Sequence, residues 1–216
     1  MGSEMCIRDS FGTSRTENET ESNSFSRLII MNGRGEAGKS YTIDTILTTL
    51  VNDHDLDDDY YLKLATTGKA ACVSGGYTVH SHKFGMGLPV GERKLNELSS
   101  NRLAEEQKRL EKLKVIFLDE YSMLRRKELY YISERLKQIK NNDLLFGGLC
   151  IVLVGDPAQL PPVQADSLWA NGLKPSTKQD DKNGNTIYNQ FSDVVILKEN
   201  NRLDLNDPER KILIKF

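Results

Sequence analysis

The chain predicts an α/β fold with a mainly parallel sheet flanked by helices, and three observations carry that expectation. Four apolar runs, Leu28–Met31, Val115–Leu118, Leu149–Val154 and Val194–Leu197, are continuous rather than alternating. Strands buried on both faces read this way. Stretches with apolar residues at helical spacing lie between them, the alternation that builds parallel sheets. The first run enters a glycine-rich loop, and a helical stretch leaves it.

The elements follow in order. Residues 1–25 carry no periodic apolar pattern, and Thr13 to Ser24 is almost all Ser, Thr, Asn and Glu. That composition fits a disordered or non-native leader, with no apolar region after Met1 to make it a signal peptide. Its opening Ser3-Glu4-Met5-Cys6-Ile7-Arg8-Asp9-Ser10 resembles a leader found in conceptual translations of adaptor-contaminated reads. One domain is expected over 26–205. Ile43–Val51 reads as the helix after the first strand, and Tyr61–Ala65 as a fifth, weaker strand. Leu95, Leu98, Leu103, Leu110 and Leu113 recur at helical spacing among many charges, which predicts a charged helical insertion over 91–113. Leu129, Ile132, Leu136 and Ile139 predict a helix over Arg125–Lys140. The stretch 167–190 is polar, with Lys178-Gln179-Asp180-Asp181-Lys182-Asn183-Gly184-Asn185 at its centre, and reads as a surface insertion. Residues 206–216 read as the truncated start of a further segment, so a gene fragment is expected.

Composition bounds the function. The 216 residues are 38% hydrophobic and 28% charged, as in a soluble globular protein. No run approaches the ~18 apolar residues of a membrane span. Lys+Arg 29 against Asp+Glu 31 gives net −2, which excludes a whole-surface polycation but not a local basic groove. Cys6, Cys72 and Cys150 are widely spaced and odd in number. They form neither a disulfide framework nor a zinc pattern, and they point to a reducing intracellular compartment.

Gly33-Arg34-Gly35-Glu36-Ala37-Gly38-Lys39-Ser40 matches G-x-x-x-x-G-K-[ST], with Tyr41 next to it. Gly33, Gly35, Ala37 and Gly38 let backbone N–H groups turn inward around an anion, and the helix N-terminus adds its positive end. Lys39 would reach the β- and γ-phosphates, and the Ser40 hydroxyl would be a Mg²⁺ ligand. Glu36 is tolerable there if its side chain points outward. The run Val115–Leu118 ends in Asp119-Glu120. Asp119 can support Mg²⁺, and Glu120 can accept a proton from an attacking water. Asp-Glu rather than a lone Asp favours a hydrolysing ATPase over a small-molecule kinase. After the fourth strand, Gln159 in Gly155-Asp156-Pro157-Ala158-Gln159-Leu160-Pro161-Pro162-Val163 can touch a γ-phosphate or the attacking water.

With Ala65-Thr66-Thr67-Gly68-Lys69-Ala70-Ala71, Thr78-Val79-His80-Ser81 and Asp119-Glu120-Tyr121-Ser122-Met123, these blocks form an ordered set. The set resembles the petite-integration-frequency (PIF) family of superfamily-one DNA helicases over roughly Leu28 to Arg202, and RecD-like helicases share much of it. The resemblance implies a RecA-like P-loop motor domain, ATP with Mg²⁺, and 5′-to-3′ movement on single-stranded DNA. It implies that Thr67, Gly68 and Lys69 contact the DNA backbone, that His80 and Ser81 face DNA, and that Arg202 is a finger on the γ-phosphate. In a eukaryote it implies the nucleus. The sequence also departs from the family. Residues 1–25 lack the glutamine-bearing helix that reads adenine, and Leu203 stands where glutamine is frequent. The chain stops at Phe216, so the second RecA-like domain is expected only in a longer protein. Two readings stand: the ATPase part of a DNA helicase, or a nucleotide- and DNA-binding module without turnover.

Overall fold

Among the described residues six parallel strands form one sheet in the order β3-β2-β4-β5-β1-β6. The computed structural model describes residues 27–198, except 36, 55, 56, 84, 171 and 173–176. The leader, Glu36, Arg202 and the segment from 206 onward therefore lie outside the described residues. In chain order the elements are β1 (Leu28–Gly33), α1 (Lys39–His54), β2 (Tyr61–Ala65), α2 (Gly68–Ser74), β3 (Tyr77–Thr78) and α3 (Ser100–Arg109). They continue with β4 (Val115–Asp119), α4 (Arg126–Lys140), β5 (Cys150–Gly155), α5 (Gln179–Tyr188) and β6 (Asp193–Leu197).

Period-two alternation explains the continuous apolar runs. Ile29, Met31, Val115, Phe117, Val152, Val154 and Val195 face Ile43 and Leu47 of α1. Leu28, Ile30, Leu62, Leu64, Ile116, Leu118, Ile151 and Leu153 face the other way, against Leu129, Ile132, Leu136 and Ile139 of α4 and Ile187 of α5. β1, β4 and β5 thus carry apolar residues at successive positions, while β2 presents Lys63, paired with Asp44 at 2.6 Å, on one face. Register then aligns the strand ends: Ala65 lies opposite Asp119, Asp119 opposite Val154, and Asn32 opposite Gly155. The carboxyl ends of β2, β4, β5 and β1 finish side by side, which is where ligands bind open parallel sheets.

The structure differs from the sequence expectation at four places. β3 spans only Tyr77–Thr78, too short to carry a periodic signal. β6 is not buried on both faces. Among the described strands it lies at one edge of the sheet, and Val194 and Ile196 are 54% and 57% exposed while Val195 is buried. In the charged insertion only Ser100–Arg109 is helical. Before it, Arg135 donates to the Asn96 carbonyl at 2.9 Å and Gln138 accepts the Leu98 N–H at 3.3 Å, so α4 holds this backbone in place of helical bonds. After it, the Lys140 ammonium donates to the carbonyls of Leu110, Glu111 and Leu113.

The fourth difference lies in the polar stretch 167–190, whose described part holds a helix packed on α4. Leu168 and Ile187 are buried, and α5 lies directly on α4. Its acidic first turn reaches across: Tyr131 donates its hydroxyl to Asp180 at 2.6 Å, and the Lys127 N–H donates to Asp181 at 3.3 Å. Gly184 permits the approach, because a Cβ there would lie 1.8 Å from the Arg126 carbonyl oxygen. Gly→Ala in a helix ordinarily stabilises by about 0.5–1 kcal/mol. At this contact the sign reverses. Gly184→Ala is expected to destabilise by about 2–3 kcal/mol in urea unfolding, since backbone must move to admit one methyl group.

Candidate nucleotide site

β1 delivers the phosphate loop and α1 receives it. A Cβ on Gly33 would lie 3.1 Å from the Ala37 Cβ and 3.2 Å from the Leu197 Cβ, so the loop folds back tightly over its first residue. Gly38 sits at φ 81°, a left-handed conformation that favours glycine. The Thr42 N–H and hydroxyl both donate to the Gly38 carbonyl, at 2.8 and 3.0 Å, and brace the first turn of α1. Lys39 turns back and donates to the carbonyls of Gly33 at 2.8 Å and Arg34 at 3.1 Å, which holds its charge inside the loop. Ser40 and Tyr41, the next two residues of α1, are exposed.

The acidic end of β4 is held from several sides. The Glu120 N–H donates to Asp119 Oδ1 at 2.9 Å. Glu120 has φ 55° and ψ 43°, a left-handed conformation rare for a residue with a side chain. Its carbonyl accepts the Thr66 hydroxyl at 3.2 Å. The next residue, Tyr121, is almost wholly buried and donates its hydroxyl to Asn32 Oδ1 at 2.7 Å, one residue before the phosphate loop. Gly155 makes room for it, since a Cβ there would lie 2.9 Å from the Tyr121 ring. Burial pushes the Asp119 carboxyl above the ordinary carboxylate range, and the Glu120 N–H and Lys39 pull it partly back. Burial also raises Glu120, and the neighbouring Asp119 charge raises it further. A carboxyl shifted this way is a better proton acceptor than an exposed one.

Gln159 follows β5. The buried Asp156 accepts the Ala158 N–H at 3.0 Å and shapes the turn that carries it. Gln159 Nε2 lies 3.8 Å from where a Cβ on Gly35 would sit, so the amide leans over the phosphate loop.

One cavity of about 980 Å³ is lined by Gly35, Gly38, Lys39, Ser40 and Tyr41 together with Asp119, Glu120 and Gln159. Gly33 and Ala37 are buried beneath the loop. Thr67 and Lys69 line this same cavity, while Gly68 is exposed beside them. The Thr67 hydroxyl accepts the Ala70 N–H at 3.2 Å and caps α2. His80 lies elsewhere, on a cavity of about 760 Å³ that Arg93, Lys94, Arg102 and Arg135 make basic. There His80 Nδ1 is 3.2 Å from the Leu88 carbonyl and Nε2 is 3.7 Å from Glu128. The Ser81 carbonyl accepts the N–H groups of Gly85 and Gly87. Sequence reasoning missed the supports of the site. Asn32, just before the loop, and Thr66, just before Thr67, are polar residues at strand ends, and that was the only signal available.

The residues present suit Mg²⁺. Ser40 and Asp119 are hard oxygen donors on one cavity, and burial leaves the Asp119 carboxylate short of positive charge. Among the described residues no group of three or more His, Cys, Asp or Glu side chains forms a metal cluster. Such an ion would complete its shell with phosphate oxygens and water.

A family model described as PIF1-like helicase matches residues 15–216. The chain is 33% identical over 145 residues to the ATP-dependent DNA helicase Pif1 of Psychrobacter sp., covering 62% of this chain and 20% of that one. It is 35% identical over 136 residues to the ATP-dependent DNA helicase PIF1 of Candida albicans, covering 61% of this chain and 14% of that one. The chain therefore spans about a third or less of the curated relatives it matches first, the largest share among these being 32%, for the Pif1 of Bdellovibrio bacteriovorus. Among solved structures it is similar to the Bacteroides Pif1 helicase in complex with ADP-AlF3 and ssDNA, with TM-score 0.64 and 21% identity, covering 100% of this chain and 45% of that one. The Candida albicans Pif1 helicase aligns with TM-score 0.57 and 26% identity over 81% of this chain and 36% of that one.

The raised carboxyls set a pH dependence of stability. A carboxyl with a higher pKa folded than unfolded takes up a proton on folding. Stability therefore falls as pH climbs from the ordinary carboxylate range through the raised value. Glu120→Gln removes that penalty. In metal-free buffer the variant is expected to melt about 1–3 °C above the parent at pH 7, the gain shrinking as pH falls through the ordinary carboxylate range, below which the folded and unfolded carboxyls are both protonated. Thermal denaturation across that range checks it; an equal gain at every pH would assign the effect to packing.

Proposed function

We propose, because the chain belongs to the PIF1-like helicase family, that it is the ATPase portion of an ATP-dependent 5′-to-3′ DNA helicase that couples hydrolysis to movement on single-stranded DNA. The observation that carries this reading is the convergence of the phosphate loop, Asp119–Glu120 and Gln159 on one cavity. The relatives named above are ATP-dependent DNA helicases, and one of the similar structures was solved with a nucleotide analogue and ssDNA.

The roles follow from charge and position. Backbone N–H groups at the start of α1 and the Lys39 ammonium would hold the β- and γ-phosphates. Ser40 and Asp119 would hold Mg²⁺, which supplies positive charge to the transferring phosphoryl group. Glu120 takes the proton of the attacking water, and its raised pKa suits that task. Gln159 orients that water or contacts the γ-phosphate, and Arg202 is the candidate arginine finger. We assign Tyr41, exposed beside the loop and lining the same cavity, to the bound nucleotide. We assign Thr67, Gly68 and Lys69 to the DNA backbone, and His80 and Ser81, beside the basic cavity, to a second DNA contact. A second RecA-like domain of the longer protein would close the cleft. The reading fits a reducing intracellular compartment, the nucleus in a eukaryote.

ATP hydrolysis by the purified chain, with and without single-stranded DNA, tests the reading. Turnover is expected to rise with DNA. Glu120→Gln is expected to lower kcat about 10²–10⁴-fold with nucleotide affinity within about threefold. Lys39→Ala is expected to lower kcat/KM by about 10²–10³-fold, the scale of losing one preorganised charge contact. Turnover indifferent to both DNA and Glu120→Gln would sink the assignment. Tight nucleotide binding without turnover would make the chain a binding module.

A further inference from the structure

Three consecutive residues at the end of β2 touch everything the proposed coupling needs. The Ala65 carbonyl accepts the Val79 N–H at 3.0 Å, and Ala65 pairs with Thr78 across the β2–β3 ladder, so the block holding His80 and Ser81 hangs on it. Thr67 caps α2 and, with Lys69, lines the nucleotide cavity. Between them, the Thr66 hydroxyl donates to the Glu120 carbonyl at 3.2 Å, a bond that spans 54 residues of sequence.

We propose that Thr66 is a positioning residue that links occupancy of the two DNA-facing blocks to the backbone of Glu120. The inference rests on the function proposed above. Its physical basis is the conformation at the other end of the bond. Glu120 is held at φ 55° and ψ 43°, which a residue with a side chain adopts only when its surroundings impose it. Asp119 holds the Glu120 N–H, and the Glu120 carbonyl accepts both the Thr66 hydroxyl at 3.2 Å and the Met123 N–H at 3.1 Å, so Thr66 supplies its one link to β2. Loss of the hydroxyl leaves that carbonyl to the Met123 N–H within its own turn and removes the side-chain link from the end of β2 to the Glu120 backbone. A strand that engages Lys69 or His80 pulls on residues 65–67, and Thr66 is where that displacement meets the catalytic carboxylate. Coupling between the sites then takes the form of a shift from this bonded backbone to one in which the bond is released.

The test is a linkage measurement on the whole chain with Thr66→Val, isosteric but lacking the hydroxyl, and Thr66→Ser, which keeps it. The dissociation constant of a fluorescent oligothymidylate is measured with and without adenylyl imidodiphosphate and Mg²⁺. The parent is expected to show a coupling factor of about five or more. Thr66→Val is expected to bring that factor below about two, with each ligand's separate affinity within about twofold and the melting temperature within about 2 °C. DNA-stimulated kcat is expected to fall about tenfold in the same variant, and Thr66→Ser to restore both. Parent-like coupling in Thr66→Val overturns the inference, as does a parent that binds both ligands without coupling; either result leaves the ATPase reading standing. A parent that binds no nucleotide removes the reading and the inference together.

Discussion

The register of four neighbouring parallel strands is the constraint on which the site depends. Asp119 is level with Ala65 on one side and Val154 on the other, and Asn32 is level with Gly155. A slip of one residue in any of these pairs would turn every side chain of that strand to the opposite face. Here both faces are packed, so apolar residues tolerate the flip but the polar strand ends do not. Tyr121 locks the alignment. Its ring fills the space that Gly155 leaves and its hydroxyl ends on Asn32, so the turn after β4 touches β5 and β1 at once. The phosphate loop and the Asp119–Glu120 pair are therefore placed by the same buried tyrosine.

That placement sets charge against burial. Asp119 and Glu120 are adjacent acids in a partly buried setting, and each is pushed above its ordinary range. Lys39 moderates both but is itself bound to loop carbonyls. The arrangement weakens the fold at neutral pH, as expected where groups are arranged for a ligand rather than for stability. A phosphate-bound cation would relieve the repulsion between the two acids, so ligand binding and stabilisation are linked through the same pair.

Much of this was legible in the sequence because its signals are local. The phosphate loop is contiguous, β4 and β5 are uninterrupted apolar runs, and α4 shows its spacing in Leu129, Ile132, Leu136 and Ile139. What stayed hidden depends on neighbours distant in sequence. α5 looks like a polar loop because its stabilising contacts are on α4: Asp180 meets Tyr131, and Gly184 meets the Arg126 backbone. Val194 and Ile196 read as core, but β6 is an edge strand, which only the strand order reveals. Thr67 and Lys69 reach the nucleotide cavity because β2 lies beside β4, a pairing across more than fifty residues that no local pattern encodes.

The first turn of α4 extends the same logic to the far side of the sheet. Arg126 is buried there and donates to the Ala170 carbonyl, and its guanidinium lies 3.8 Å from Asp166, so it gathers the limb that follows Gln159. Two residues on, in the same turn, Glu128 accepts the Arg125 N–H at 2.9 Å and stands 3.7 Å from His80 on the basic cavity. The two surfaces assigned to nucleotide and to DNA are therefore joined through one rigid helix end as well as through Thr66. A buried guanidinium whose Nε and Nη1 have no hydrogen-bond partner among the described residues is costly to keep. It tolerates that cost where apolar replacement would release the limb carrying Gln159, and the helix end then serves to hold two loops at a fixed separation rather than to strengthen the core.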